Sequence, residues 1–208
     1  MFTGLIEDTG RVDVVQRSEG GARLRVATRL ARELQPGDSI AVNGVCLTAT
    51  DLDETGFWAD LSPVTLNVTA LGRLAPGRLV NLERPVRADA RMGGHFVLGH
   101  VDATGTIAAL EKQGEAWRLA VRIPAGLEPL VIPRGSIAID GISLTIAAIE
   151  GRDILMQIIP FTFAHTNLSQ AAAGDLVNLE ADVLGKYVLR AIETRGAASD
   201  ALQGGVAT

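Results

Sequence analysis

The sequence has little that would suit an extracellular, membrane-spanning or nucleic-acid-binding protein. It holds a single cysteine, Cys46, in 208 residues, so no disulfide can form within the chain and a reducing, cytoplasmic location is expected. Aromatic residues make up only 4 % and the formal charge is -5. The aromatic platforms and basic groove needed to bind single-stranded nucleic acid are therefore lacking. No apolar run approaches the roughly 20 residues needed to cross a bilayer; "ILMQIIPF" is short and carries Gln157 and Pro160. The opening "MFTGLIEDTG" has no basic stretch followed by an apolar one, so it does not read as a signal peptide. There is no GxxxxGK[ST] loop, no GxGxxG after a strand and no serine nucleophile elbow, which disfavours kinases, NTPases and dinucleotide-dependent dehydrogenases. Histidines number three. His95 and His100 in "GGHFVLGH" read as opposite faces of a strand, and no cysteine or carboxylate cluster completes a ligand set, so no metal site is expected. His165 in "AHTNL" is expected to tie down a loop.

What is present is a duplication. "SIAVNGVCLT" (39–48) returns as "SIAIDGISLT" (136–145), and three further blocks recur in the same order. "GLIEDTGRV" matches "GHVDATGTI", "LSPVTLNVTALG" matches "IIPFTFAHTNLS", and "GRLVNLERPV" matches "GDLVNLEADV". Each copy spans roughly 90 residues, the size of a small domain. The expected organisation is 1–90, 91–183 and a C-terminal segment 184–208. Hydrophobic content of 47 % is ample for two packed cores.

Within a copy the periodicity is mostly two. "RLRVAT", "SIAV", "VCLTAT", "FWADLS" and "LVNLE" are short and separated by Gly, Pro, Asn or Asp. "NG" at 43–44 and "DG" at 140–141 are strong hairpin signals. Short strands in a unit of this size predict small closed or nearly closed barrels, which remove sheet edges. "LQPGD" and "GLEPLVIPRG" are each expected to hold one short helical turn. After Asp182, "VLGKYVLRAIETR" sets Leu184, Tyr187, Val188, Ala191 and Ile192 on one stripe at helical spacing, with no counterpart after the first copy. This helix covers its own barrel or packs against other subunits. The last residues, "GAASDALQGGVAT", are expected to fray.

If the two hairpins form, Cys46 and Thr48 share one strand face, opposite Val45 and Leu47. Ser143 and Thr145 share the matching face, opposite Ile142 and Leu144. An apolar face filling a barrel and a small polar face outside it would suit a ligand shelf. The plainer alternative is that both threonines are ordinary strand formers and Cys46 a small hydrophobe. His100 aligns with Leu5, so it is a polar group introduced into one half only.

Taken together, "MFTGLIEDTGRV", the paired decapeptides, "GGHFVLGHVD" and "VNLEADVLGKY" resemble riboflavin synthase of the alpha-chain type, over nearly the whole chain from Met1 to about Arg195. The resemblance implies an all-β fold of two tandem Greek-key β-barrels plus a C-terminal α-helix, three chains associating through those helices, and functional coupling to lumazine synthase. It implies one 6,7-dimethyl-8-ribityllumazine per barrel, the first barrel of one subunit facing the second of a neighbour. Each active site thus holds two substrate molecules and needs no cofactor. The reaction is a transferase-type dismutation that moves a four-carbon unit and yields riboflavin and 5-amino-6-ribitylaminouracil.

Carried onto this sequence, the family's active-site positions fall on Phe2, Ser39, Cys46 and Thr48, then on His100, Asp140, Ser143, Thr145 and Asp182. The first shelf would comprise Gly4, Leu5 and Ile6, with Cys46, Leu47 and Thr48, and Asp60, Leu61, Ser62, Pro63, Val64 and Thr65. The second would comprise His100, Val101 and Asp102, with Ser143, Leu144 and Thr145, and Ile159, Pro160, Phe161, Thr162, Phe163 and Ala164. Arg134 stands where the family has a lysine reaching the neighbouring subunit's ligand, and Val64 where a glutamate is common. On this reading the Asn43/Asp140 and Cys46/Ser143 differences divide the labour between a donor ring and an acceptor ring. The alternative is a non-catalytic lumazine-binding relative, against which the presence of Cys46, His100, Asp140 and Ser143 argues.

Overall fold

The computed structural model describes residues 1–203, with side chains as far as Arg195. The first repeat folds into β1 (Asp8–Ser18), β2 (Gly21–Ala27), β3 (Ser39–Val42), β4 (Val45–Asp53), β5 (Gly56–Leu61), α1 (Pro63–Val68) and β6 (Leu79–Glu83). The second gives β7 (Ala103–Gln113), β8 (Ala116–Arg122), β9 (Ser136–Ile139), β10 (Ile142–Glu150), β11 (Asp153–Ile158), α2 (Pro160–Ala164) and β12 (Leu176–Ala181), followed by α3 (Val183–Gln203). Each set of six strands closes into an antiparallel barrel with the same circular order, β1-β2-β5-β4-β3-β6 and its equivalent in the second copy. The fold is therefore two β-barrels related by duplication, with a C-terminal helix.

The hairpins follow from turn chemistry. Asn43 and Asp140 both sit at φ 46° and each is followed by a glycine at positive φ, which joins β3 to β4 and β9 to β10 in tight register. Alternation then sorts the side chains. Val45 and Leu47 enter the first core beside Leu24, Val26, Phe57 and Leu82, while Cys46 is half-buried and Thr48 exposed. The second core gathers Ile107, Leu119, Ile139, Ile146 and Leu179.

Four details depart from the sequence expectation. α1 and α2 were not expected, because five or six residues carry too little periodicity. Pro63 and Pro160 open them, and Ser62 Oγ caps the first by accepting from Thr65 N. The turn expected at "LQPGD" lies just before it, over Arg29–Glu33, whereas Glu128–Leu130 does form a turn within "GLEPLVIPRG". "GGHFVLGH" is no strand but an extended segment with one bridge, Val97 to Phe2. Finally, α3 runs on past Gly196 to Gln203, where fraying was expected; the expectation for 204–208 falls outside the described residues.

Candidate active site

The two barrels meet across contacts that pair equivalent residues of the repeat, as a two-fold axis requires. Phe2 and its counterpart Val97 bond to each other through both backbone groups, at 2.7 and 3.1 Å. With Ala41 and Ala138 they form a small buried cluster against which Cys46 packs. Nearby the Gly44 and Gly141 turns touch so closely that a Cβ on Gly44 would lie 2.6 Å from Gly141 N.

Past Phe2 and Val97 the two leading segments cross over. Gly4 O accepts from Ser143 N at 2.8 Å, and Gly99 O accepts from Cys46 N at 2.9 Å. Ile6 packs on the second core and Val101 on the first. The shelf grouping expected from the resemblance is thus exchanged: Gly4, Leu5 and Ile6 run beside Ser143, Leu144 and Thr145, while His100 and Val101 run beside Cys46, Leu47 and Thr48. Glycine is required at both crossings. Gly4 and Gly99 have φ of 77° and 80°, and a Cβ there would meet the Cβ of Ser143 at 2.5 Å or of Cys46 at 2.6 Å.

On the first shelf Ser39 lies opposite Thr48 in register, as Ser136 lies opposite Thr145 on the second. β5 pairs with β4 through Ala59 and Ala49, so Asp60, Leu61, Ser62, Pro63, Val64 and Thr65 continue from a strand adjoining the shelf. Asp60 pairs with Arg23 at 3.4 Å, Leu61 is buried and Val64 exposed. In the second copy Ile159, Pro160, Phe161 and Ala164 are exposed, Thr162 and Phe163 half-buried, and Phe163 stacks on Trp117 with centroids 3.8 Å apart. His165 Nδ1 lies 2.8 Å from Phe161 O, the loop-tying role expected of it. Arg134 is exposed at φ 67°, held through its N–H to Ile146 O.

Among residues expected to be catalytic, Cys46, Ser143, His100 and Asp182 are at least partly accessible, whereas Phe2 and Asp140 are fully enclosed in the seam. Asp140 accepts from Asn178 N and Asn167 Nδ2, both at 2.8 Å, and Asn43 in the first copy likewise accepts from Asn81 N at 2.7 Å. Asn81 and Asn178 then donate across the seam to Asp140 O and Asn43 O. These residues build the barrel–barrel contact rather than a shelf. Burial pushes the Asp140 carboxyl up to about 6, against the opposing pull of its hydrogen bonds.

One pairing was not foreseen. His95 is buried, and its Nδ1 lies 2.7 Å from Ser143 Oγ. Its Nε2 has no hydrogen-bond partner among the described residues. Desolvation pulls the His95 pKa below the usual histidine value, keeping the ring neutral, while the charge of Asp182 acts in the opposite sense. Asp182 Oδ1 accepts from Leu184 N and caps α3. The one available signal was that His95 precedes the repeat-matched Gly99 by only a few residues; nothing local tied it to a serine on the second barrel. Two buried glutamates, Glu83 and Glu180, were also missed.

A family model described as the lumazine binding domain matches the chain twice, over residues 3–85 and 98–182. The chain is 45 % identical over 202 residues to the riboflavin synthase of Mycobacterium tuberculosis, covering 94 % of this chain and all of that one. It is 39 % identical over 191 residues to the riboflavin synthase of Bacillus subtilis (91 % and 89 % covered) and 41 % identical over 197 residues to that of Schizosaccharomyces pombe (93 % and 94 %). Among solved structures, LumP complexed with riboflavin superposes with a TM-score of 0.82 at 22 % identity, over 87 % of this chain and 99 % of that one, a likeness of fold.

Proposed function

This chain belongs to the lumazine-binding-domain family as one of its riboflavin synthases, and we propose that it acts by dismutation of two 6,7-dimethyl-8-ribityllumazine molecules. A four-carbon unit, two methyls with the ring carbons that bear them, passes from one lumazine to the other. The acceptor becomes riboflavin and the donor leaves as 5-amino-6-ribitylaminouracil. Carbon and redox balance are internal to the pair, so no separate electron carrier enters the scheme.

The observation that carries this reading is the pair of shelves, alike in geometry and unlike in reactive groups. Cys46 with Thr48 and Ser143 with Thr145 occupy equivalent strand positions, each beside a crossing glycine. Two similar rings need two similar shelves, and bringing them together in fixed orientation removes much of the entropy cost of their encounter. The methyl on lumazine carbon 7 is acidic because its anion delocalises into the ring. Deprotonation, addition and the later eliminations call for positioned bases and donors. Neutral His95, hydrogen-bonded to Ser143 Oγ, suits proton transfer at the second shelf. Cys46 and exposed His100 serve the first, with Ser39 in support, while Asp182, whose charge acts on His95, supports the second. Phe2 and Asp140 act by holding the seam.

The shelves face outward, and a concavity of about 770 Å³ lined by Glu7, Arg29, Glu33 and Arg84 includes neither. A second chain would close them. On α3, Leu184, Tyr187, Val188 and Ile192 remain 59–72 % exposed, a stripe suited to other copies of the same helix in a homotrimer. The reaction is placed in the cytoplasm, where the Cys46 thiol stays reduced. Calorimetric titration with riboflavin, a product analogous in shape to the substrate, tests the reading. Two sites per chain are expected; a single site per chain would favour a ligand-carrying relative.

A further inference from the structure

Strands β6 and β12 both carry "LVNLE", and the glutamate in each, Glu83 or Glu180, is buried. Neither makes a salt bridge among the described residues. Burial raises the pKa of both, and backbone donors oppose that rise. A buried carboxylate is costly unless hydrogen bonds compensate it, and each of these accepts three. Glu83 accepts from Thr3 N at 2.6 Å, Thr3 Oγ1 at 2.8 Å and Gly4 N at 2.9 Å. Glu180 accepts from Leu98 N at 2.6 Å, Gly99 N at 3.0 Å and His100 N at 3.1 Å. Only an acceptor-only fork meets converging N–H groups in this way; a glutamine would turn its own donors on them.

The held segments are the ones that cross. A second acid grips each of them further on: Glu7 Oε1 accepts from Arg84 N at 2.9 Å, and Asp102 Oδ2 accepts from Ala181 N at 2.8 Å. A cation completes each grip, Arg84 on Glu7 and Lys186 of α3 on Asp102, both at 2.6 Å.

Given that the two shelves hold lumazine, we propose that Glu83 and Glu180 are crossed positioning residues. Glu83 of the first barrel sets the Gly4 edge of the Ser143 shelf on the second, and Glu180 of the second barrel sets the Gly99–His100 edge of the Cys46 shelf on the first. Each ring site is then built by both barrels. Only the second grip ends on α3, so the helix is tied through Lys186 and Asp102 to the segment that edges the Cys46 shelf.

Cys46 is the sole cysteine, so a thiol reagent reads its shelf without any ligand. With Ellman's reagent, Glu180→Gln should speed modification of Cys46 several-fold and Glu83→Gln should leave it unchanged. Moving the thiol, by Cys46→Ser with Ser143→Cys, should reverse the pattern, so that Glu83→Gln becomes the accelerating change. Glu180→Asp, which keeps the acceptors on a shorter stem, should fall between wild type and Glu180→Gln. In turnover of the wild-type background, each glutamine variant should lower kcat/KM about ten-fold or more, through displaced edges. Acceleration at both thiol positions by either variant, at neither, or only within the variant's own barrel overturns the proposal. The thiol rates need no substrate, so they judge the clamps even if lumazine turnover were absent. Should the glutamine variants not fold, amide exchange in the unaltered protein decides. Leu98, Gly99 and His100 should be protected like β12, and exchange at free-loop rates contradicts the clamp.

Discussion

Asp140 and Asn43 occupy one position of the repeat, yet the carboxylate of the second copy meets Asn167 Nδ2 where the first copy has Ala70. The difference has a consequence for stability. The folded Asp140 pKa, about 6, lies above the ordinary 3.8. Its contribution is therefore fully present below the ordinary value and is lost as pH rises through the folded one. Asp140→Asn with Asn167→Ala copies the pair found in the first barrel and removes the titrating group. Thermal unfolding between about pH 4 and 7 should show the wild type losing stability relative to this variant as pH rises; a constant gap would contradict the assignment. Cys46 makes the opposite kind of claim. A thiol ionises far more readily than a hydroxyl and its thiolate is the stronger nucleophile. Cys46→Ser should lower kcat by roughly ten-fold or more, about 1.4 kcal/mol, with little change in ligand affinity. Near-normal kcat at saturating lumazine would reduce Cys46 to packing.

At the scale of elements, the helix α3 is where function and assembly meet. Truncation before Lys186 removes the exposed Tyr187, Val188 and Ile192 together with the ion pair to Asp102. Both barrels should stay folded by circular dichroism, the protein should sediment largely as monomer, and turnover should fall steeply while some lumazine binding persists. An intact trimer after truncation would refute the role given to the helix. The hairpins and both shelf strands were legible in the sequence, because Asn-Gly, Asp-Gly and period-two alternation are local signals. The crossing segments were not. Gly4 precedes Cys46 in the same copy and Gly99 precedes Ser143, so chain order groups them within a barrel, whereas the Phe2–Val97 bridge sends each to the other. That choice is set by burying Phe2, Ala41, Val97 and Ala138 together, a tertiary matter that no periodicity records. The seam position of Asp140 was hidden for the same reason: a polar change inside a repeat marks a special environment without saying whether it is a shelf or a seam.

The whole molecule is a pair of barrels whose approximate two-fold symmetry is broken at the shelves and the seam. Cys46 against Ser143, His100 against Leu5, Asp140 against Asn43, and a helix after only one copy are departures that bear on the site. The symmetric part suits two copies of one substrate, and the departures suit unequal treatment of them. That claim is tested most directly by incubating the protein, without additives, with 6,7-dimethyl-8-ribityllumazine and following both products. The expected result is yellow flavin fluorescence with one riboflavin and one 5-amino-6-ribitylaminouracil formed for every two lumazines consumed. No turnover, with one lumazine held tightly by each chain, would contradict it.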